Sequence, residues 1–203
     1  YGGISLLIIE SDTPGYSVSE KLEKMGWWAS DTAQIFFDEC RVPVQNLLGK
    51  EGEGFFAILA NFQNERLHLS IMANMTAHLA LEETLKYVRE KLAPGRPSSG
   101  LQATYHKLAD MATLVEVSRE FVYRVAAKIN AGEEQIKEIT MAKNFSTWVS
   151  GSVTDEAIQI HGNHGCLRKC LVERLCRDNR VLSIGGGTRE IMKEIISRYI
   201  LPS

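Results

Sequence analysis

Long apolar runs are missing from this sequence. The longest near the N-terminus, residues 4–9, covers six positions, far below the roughly 20 that a membrane-spanning helix requires. An excess of one charge is missing too. With 23 Lys and Arg against 25 Asp and Glu the net charge is −2, so no basic field points to nucleic acid or to an anionic membrane. Cysteine is scarce: Cys40, Cys166, Cys170 and Cys176. The last three follow His161 and His164, but spacings of four and six with no Cys-x-x-Cys pair do not match zinc patterns. No metal is expected, and the thiols read as free in a reducing compartment. No secretory pattern opens the sequence, and a chain that enters a strand-like run from Tyr1 without Met is expected to be a fragment or a processed piece. Internal repeats and low-complexity tracts are absent.

What is present is an ordinary globular composition, 44% hydrophobic and 24% charged. Hydrophobic period divides it in two. Residues 1–50 read as β: the run at 4–9 closes at Asp12 and Thr13-Pro14-Gly15, and Gln34-Ile35-Phe36-Phe37 makes a second strand. So few strands do not make a stable sheet alone, so exposed edges are expected. Trp27-Trp28 reads as packing where the β part meets the helices. Residues 51–203 read as helices near 54–90, 101–130, 134–160 and 188–200. Pro94-Gly95 interrupts the first pair, and Ala131-Gly132 ends the second helix. Long helices with short loops imply an antiparallel bundle. The expected fold is therefore mostly α, an antiparallel four-helix bundle preceded by a partial β domain.

Two features carry chemistry. The first is Ser183-Ile184-Gly185-Gly186-Gly187-Thr188-Arg189-Glu190. Its glycines allow close backbone approach. Thr188 sits where a helix N-cap belongs, and the helix start offers N–H groups to an anion or a developing negative oxygen. The second is Glu65, at helical spacing with Ile58, Phe62, Leu69 and Met72. That places a carboxylate in the apolar stripe, with Arg66 on another face. Two readings stand: a general base with a raised pKa, or half of a buried ion pair. His161 and His164 read as packing or loop residues, and His68, His78 and His106 as polar-facing helix positions.

Residues 172–190, Val-Glu-Arg-Leu-Cys-Arg-Asp-Asn-Arg-Val-Leu-Ser-Ile-Gly-Gly-Gly-Thr-Arg-Glu, resemble the C-terminal signature of the acyl-CoA dehydrogenases. Asp31-Thr32-Ala33 with Phe36-Phe37, Arg41-Val42-Pro43 with Asn46-Leu47-Leu48-Gly49, Asn64-Glu65-Arg66-Leu67, and Gln102-Ala103-Thr104 with His106-Lys107-Leu108-Ala109-Asp110 follow the family's order. The resemblance spans the whole chain and the latter half of a family member. It implies a remnant of the β domain at 1–50 and the C-terminal helical bundle at 51–203.

The function so implied is flavin-dependent α,β-dehydrogenation of an acyl-CoA thioester, with FAD as cofactor. Most members carry the catalytic glutamate at the loop position that is Gly186 here. The isovaleryl- and long-chain-like branches take it from the helix, in a context matching Glu65-Arg66-Leu67. Glu65 is then the base, and the Gly186 N–H helps to stabilise the enolate oxygen. Thr188 and Glu190 match positions that meet FAD, or serve as helix caps. Arg66 matches an arginine of the acyl-CoA side, or is a structural ion-pair partner. Lys91, with Pro94, stands in a loop that reaches FAD of a neighbouring subunit. Gln159, Gly162 and Asn163 stand in a second such segment. Lys91 replaces arginine, Pro94 an aromatic, Asn163 a glycine and Leu171 a proline; their clustering suggests weaker flavin contacts. The alternative reading is a non-catalytic helical oligomerisation or interaction module with decayed cofactor contacts. The resemblance also implies a homodimer or homotetramer, an electron-transfer flavoprotein as partner by analogy, and a bacterial cytoplasmic or mitochondrial matrix location, not a secreted one.

Overall fold

The computed structural model describes residues 3–91 and 101–201. Pro94 lies outside the described residues. The chain forms two compact units, Tyr1–Phe62 and Gln63–Ser203. In the first, β1 (Leu6–Leu7) pairs antiparallel with β4 (Leu47–Leu48), and β2 (Tyr16–Val18) with β3 (Ile35–Phe37). Phe36 stands opposite Ser17 and Phe37 opposite Tyr16. Ile35, Phe36 and Phe37 are exposed, as expected for strands with few partners. Trp27 and Trp28 lie in a loop of this unit, and the Trp28 indole donates to the Lys24 carbonyl at 2.7 Å.

α1 (Gly54–Lys91) starts in the first unit and runs on through the second. The second unit continues with α2 (Gln102–Asn130), α3 (Ile136–His161), α4 (Leu171–Asn179) and α5 (Arg189–Ile200). The molecule is thus mostly α, with five helices among the described residues. The short α4 was not expected. Its nine residues are too few and too polar to stand out in the sequence, and the Glu173–Arg177 pair, with Nη2 3.0 Å from Oε2, braces it one turn apart.

The buried face of α1 is not the one its large residues suggest. Ala73, Ala77 and Ala80 are fully buried, with Ser70 and Thr84 beside them, whereas Met72 and Leu79 are exposed. Small side chains let neighbouring helices approach, so they, and not the bulky residues, mark the contact face. The Asn74 amide crosses to α2 and donates to the Val115 carbonyl at 3.1 Å. The core gathers Leu81, Val88, Met111, Val115, Val149 and Val153.

α3 is the central element, buried along most of its circumference. Its buried threonine hydroxyls are satisfied within the helix. Thr140, Thr147 and Thr154 donate to the carbonyls four residues earlier at 2.7–2.8 Å, so burial leaves no unpaired hydroxyl there. No helix among the described residues is long and apolar enough to cross a membrane.

Candidate functional site

The glycine loop is built as a turn. The Gly187 N–H bonds the Ile184 carbonyl at 3.2 Å, closing four residues with Gly186 at the third position, φ +64°. That position favours glycine when φ is positive. Gly185 donates to the Val181 carbonyl at 2.8 Å. The Gly186 N–H belongs to the middle peptide of the turn and has no acceptor among the described residues. A Cβ at 186 would lie 2.8 Å from Leu69 Cδ1 and 3.6 Å from Arg66 Cγ, so the loop lies directly against the turn of α1 that carries Glu65.

Here the structure corrects the phase read from sequence. Arg66 is buried and Glu65 is only half-buried. The reason is the small-residue face of α1, which rotates Arg66 inward with Ser70, Ala73 and Ala77. The Arg66 Nε donates to the Gly186 carbonyl at 3.0 Å. Burial lowers the Arg66 pKa, and the neighbouring Glu65 charge opposes that shift. Glu65 therefore sits beside cations as well as apolar groups.

A third group enters from α3. Lys143 is completely buried, and its Nζ donates to the Gly187 carbonyl. Burial first, then repulsion from Arg66 and Arg189, lower its pKa to about 8; Glu65 acts the other way. Sequence reading missed Lys143. The available signal was its position four residues after Ile139 in a helix with a wide buried arc.

Thr188 caps α5, its hydroxyl accepting from the Ile191 N–H at 3.5 Å. Glu190 is exposed, and its own backbone N–H and the Thr188 hydroxyl hold its carboxyl below the ordinary value. Both residues line a cavity of about 470 Å³ together with Asn179, Arg180, Ser183 and Arg189. The buried Arg189 Nε has no hydrogen-bond partner among the described residues. Two guanidinium groups beside a helix N-terminus suit an anionic group.

The remaining candidates lie elsewhere. Gln159, Gly162 and Asn163 are exposed at the end of α3. They are 16 or more positions beyond Lys143, about 24 Å along a helix axis. Lys91 ends α1, its ammonium 5.5 Å from the centre of the Tyr87 ring. That ring stacks on His161 at 4.2 Å and on His164 at 5.7 Å. His161 is buried, with Nδ1 2.7 Å from the Ala157 carbonyl, and burial lowers its pKa; its place is one of packing. The structure thus brings Glu65, Arg66, Gly186, Thr188 and Glu190 around one loop, and leaves Lys91, Gln159, Gly162 and Asn163 at another end of the bundle. All four cysteines are free.

A family profile described as "Acyl-CoA dehydrogenase, C-terminal domain" matches residues 52–201. An acyl-CoA dehydrogenase from Bacillus subtilis is 41% identical over 98% of this chain and 52% of its own length. A mouse protein named long-chain specific acyl-CoA dehydrogenase, mitochondrial, is 36% identical over 98% of this chain and 46% of its own. The crystal structure of a probable acyl-CoA dehydrogenase from Mycobacterium abscessus superposes with a TM-score of 0.94 at 45% identity, covering 98% of this chain and 53% of that one. The chain spans about half the length of the curated relatives it matches.

Proposed function

The chain belongs to the acyl-CoA dehydrogenase family, and on that premise we propose that it forms the C-terminal part of a flavin-dependent enzyme that introduces a Cα–Cβ double bond into an acyl-CoA thioester. The observation that carries this reading is the packing of Gly186 against α1 at Arg66 and Leu69. It sets the loop that lacks a carboxylate beside the helix turn that has one. The Glu65 carboxylate removes the α-proton. The Gly186 N–H, which has no acceptor among the described residues, donates to the thioester oxygen as negative charge develops there. Arg66 serves the acyl-CoA side of the site through the loop it holds. Bound FAD would supply the oxidising chemistry, a hydride acceptor for the β-hydrogen.

The cavity lined by Arg180, Arg189, Thr188 and Glu190 fits an anionic part of that cofactor, with Thr188 and Glu190 among its contacts. Lys91, Gln159, Gly162 and Asn163, clustered apart at the end of the bundle, suit a flavin contact made across a subunit interface in a homodimer or homotetramer. An electron-transfer flavoprotein is the acceptor in this reading, and the compartment is the bacterial cytoplasm or the mitochondrial matrix.

The test is anaerobic bleaching of the flavin absorption by acyl-CoA, in the full-length protein and its Glu65→Gln variant. A general base contributes about 10²–10⁴-fold, so E65Q is expected to slow bleaching by at least 10² while retaining its flavin bands after desalting. An E65Q protein that bleaches as fast as its parent removes Glu65 from the role of base. A parent that holds no flavin removes the enzyme reading altogether.

A further inference from the structure

We propose that Lys143 is a positioning residue. From the interior of α3 its ammonium, paired with the guanidinium of Arg66 on α1, holds two successive carbonyls of the glycine loop and thereby pins the Gly186–Gly187 half of the turn, and with it the place from which the Gly186 N–H donates. The inference deepens the reading above, since it takes the Gly186 N–H as the donor to the thioester oxygen.

The middle peptide of a β-turn is the one that a turn leaves unsecured, because the closing hydrogen bond uses only the first carbonyl and the last N–H. In the loop 184–187 that closure is Gly187 N–H to Ile184 O, at 3.2 Å. The middle peptide, which carries the Gly186 N–H, is flanked by two glycines and has no side chain at either end to resist rotation. The two planes that follow it are the ones that are anchored. The Gly186 carbonyl is held by Arg66 Nε at 3.0 Å and the Gly187 carbonyl by Lys143 Nζ. Both donors are charged and both are buried, which makes such bonds stronger than neutral ones. With those two carbonyls fixed, the Gly186–Gly187 and Gly187–Thr188 peptides keep their place and Gly187 keeps its φ of +115°, so the Gly186 N–H starts from an anchored Cα.

A buried lysine is costly unless it has a task or a partner. The charged groups facing Lys143 are Arg66 and Glu65 from α1 and Arg189 from α5. Two of the three repel it. Burial first, and then the two guanidiniums, lower its pKa, and only Glu65 opposes them. A methionine would fill the same volume without that cost, so the ammonium is needed for the bond it donates.

The experiment replaces Lys143 by Met, which keeps the shape and removes the donor, and by Arg, which keeps both charge and donors. The first readout needs no turnover: amide exchange at Gly187. In K143M its protection is expected to fall at least tenfold, the size of one charge-assisted hydrogen bond, while α3 amides keep theirs. Unchanged Gly187 protection overturns the proposal. The second readout is kinetic. K143M is expected to lower kcat at least tenfold with KM within threefold, and K143R to restore most of it; a change confined to KM overturns positioning. If K143M does not fold, the wild-type chain gives the answer: the Lys143 Cε resonance and the Gly187 amide resonance titrate with a shared midpoint near pH 8. A Gly187 resonance that stays flat through the lysine titration overturns it. Failure here is separable from failure of the Glu65 reading, which E65Q tests without touching the loop's carbonyls.

Discussion

Gly186 and Gly187 are glycines above all because of their positive φ, with crowding a lesser reason. Added Cβ atoms would meet Leu69 Cδ1 at 2.8 Å and Met192 Cε at 2.6 Å, both ends of flexible side chains that can move aside. The backbone angle has no such escape. G187A is therefore expected to cost about 1–2 kcal/mol from its left-handed conformation, read as a lower urea midpoint with an unchanged m-value. A stability equal to wild type would show that the loop relaxes to negative φ. At this scale the sequence was partly legible. Thr188 as the N-cap and the loop as a place of close approach could be read, because caps and glycines act locally. The facing of Glu65 and Arg66 could not, because helical phase is set by what packs against α1 and not by α1 alone. Lys143 was overlooked for a related reason: a lysine in a helix is read as solvated until three other elements are known to enclose it.

Among the elements, the long helices were legible almost to their ends. The expected 54–90 and 101–130 became Gly54–Lys91 and Gln102–Asn130. Strong breakers at Pro94-Gly95 and Ala131-Gly132 explain that agreement. α4 escaped notice, since nine residues with four charges give too short and too polar a pattern. On α1 the alanine face predicts a specific sensitivity. Ala77 is fully buried and packed in the main core cluster, so A77L is expected to destabilise by about 1–3 kcal/mol through overpacking. M72A, on an exposed position, is expected to stay within about 0.5 kcal/mol of the parent. Chemical denaturation of the two variants side by side checks the assignment of faces. The reverse order would restore the face marked by the large residues.

For the molecule as a whole, Lys143 sets a pH dependence with a definite sign. Below about pH 8 the folded and the unfolded chain both carry its proton, and above the ordinary value of 10.5 neither does. Between those limits the unfolded chain holds a proton that the folded chain has released. Stability from this group therefore rises with pH across the window, even as the loop loses its charged donor. The difference in unfolding free energy between wild type and K143M is expected to grow in favour of wild type from pH 8 to pH 10. A difference that is flat or that shrinks would contradict it. The same lysine has a consequence for reactivity. With a pKa of about 8, about a tenth of it is uncharged amine at pH 7, against well under a thousandth for an ordinary lysine. The amine fraction is raised only while burial seals the lysine from reagents, and opening returns it to the ordinary value. Acylation at residue 143 thus waits on opening of the bundle, and its time course is a clock for that opening.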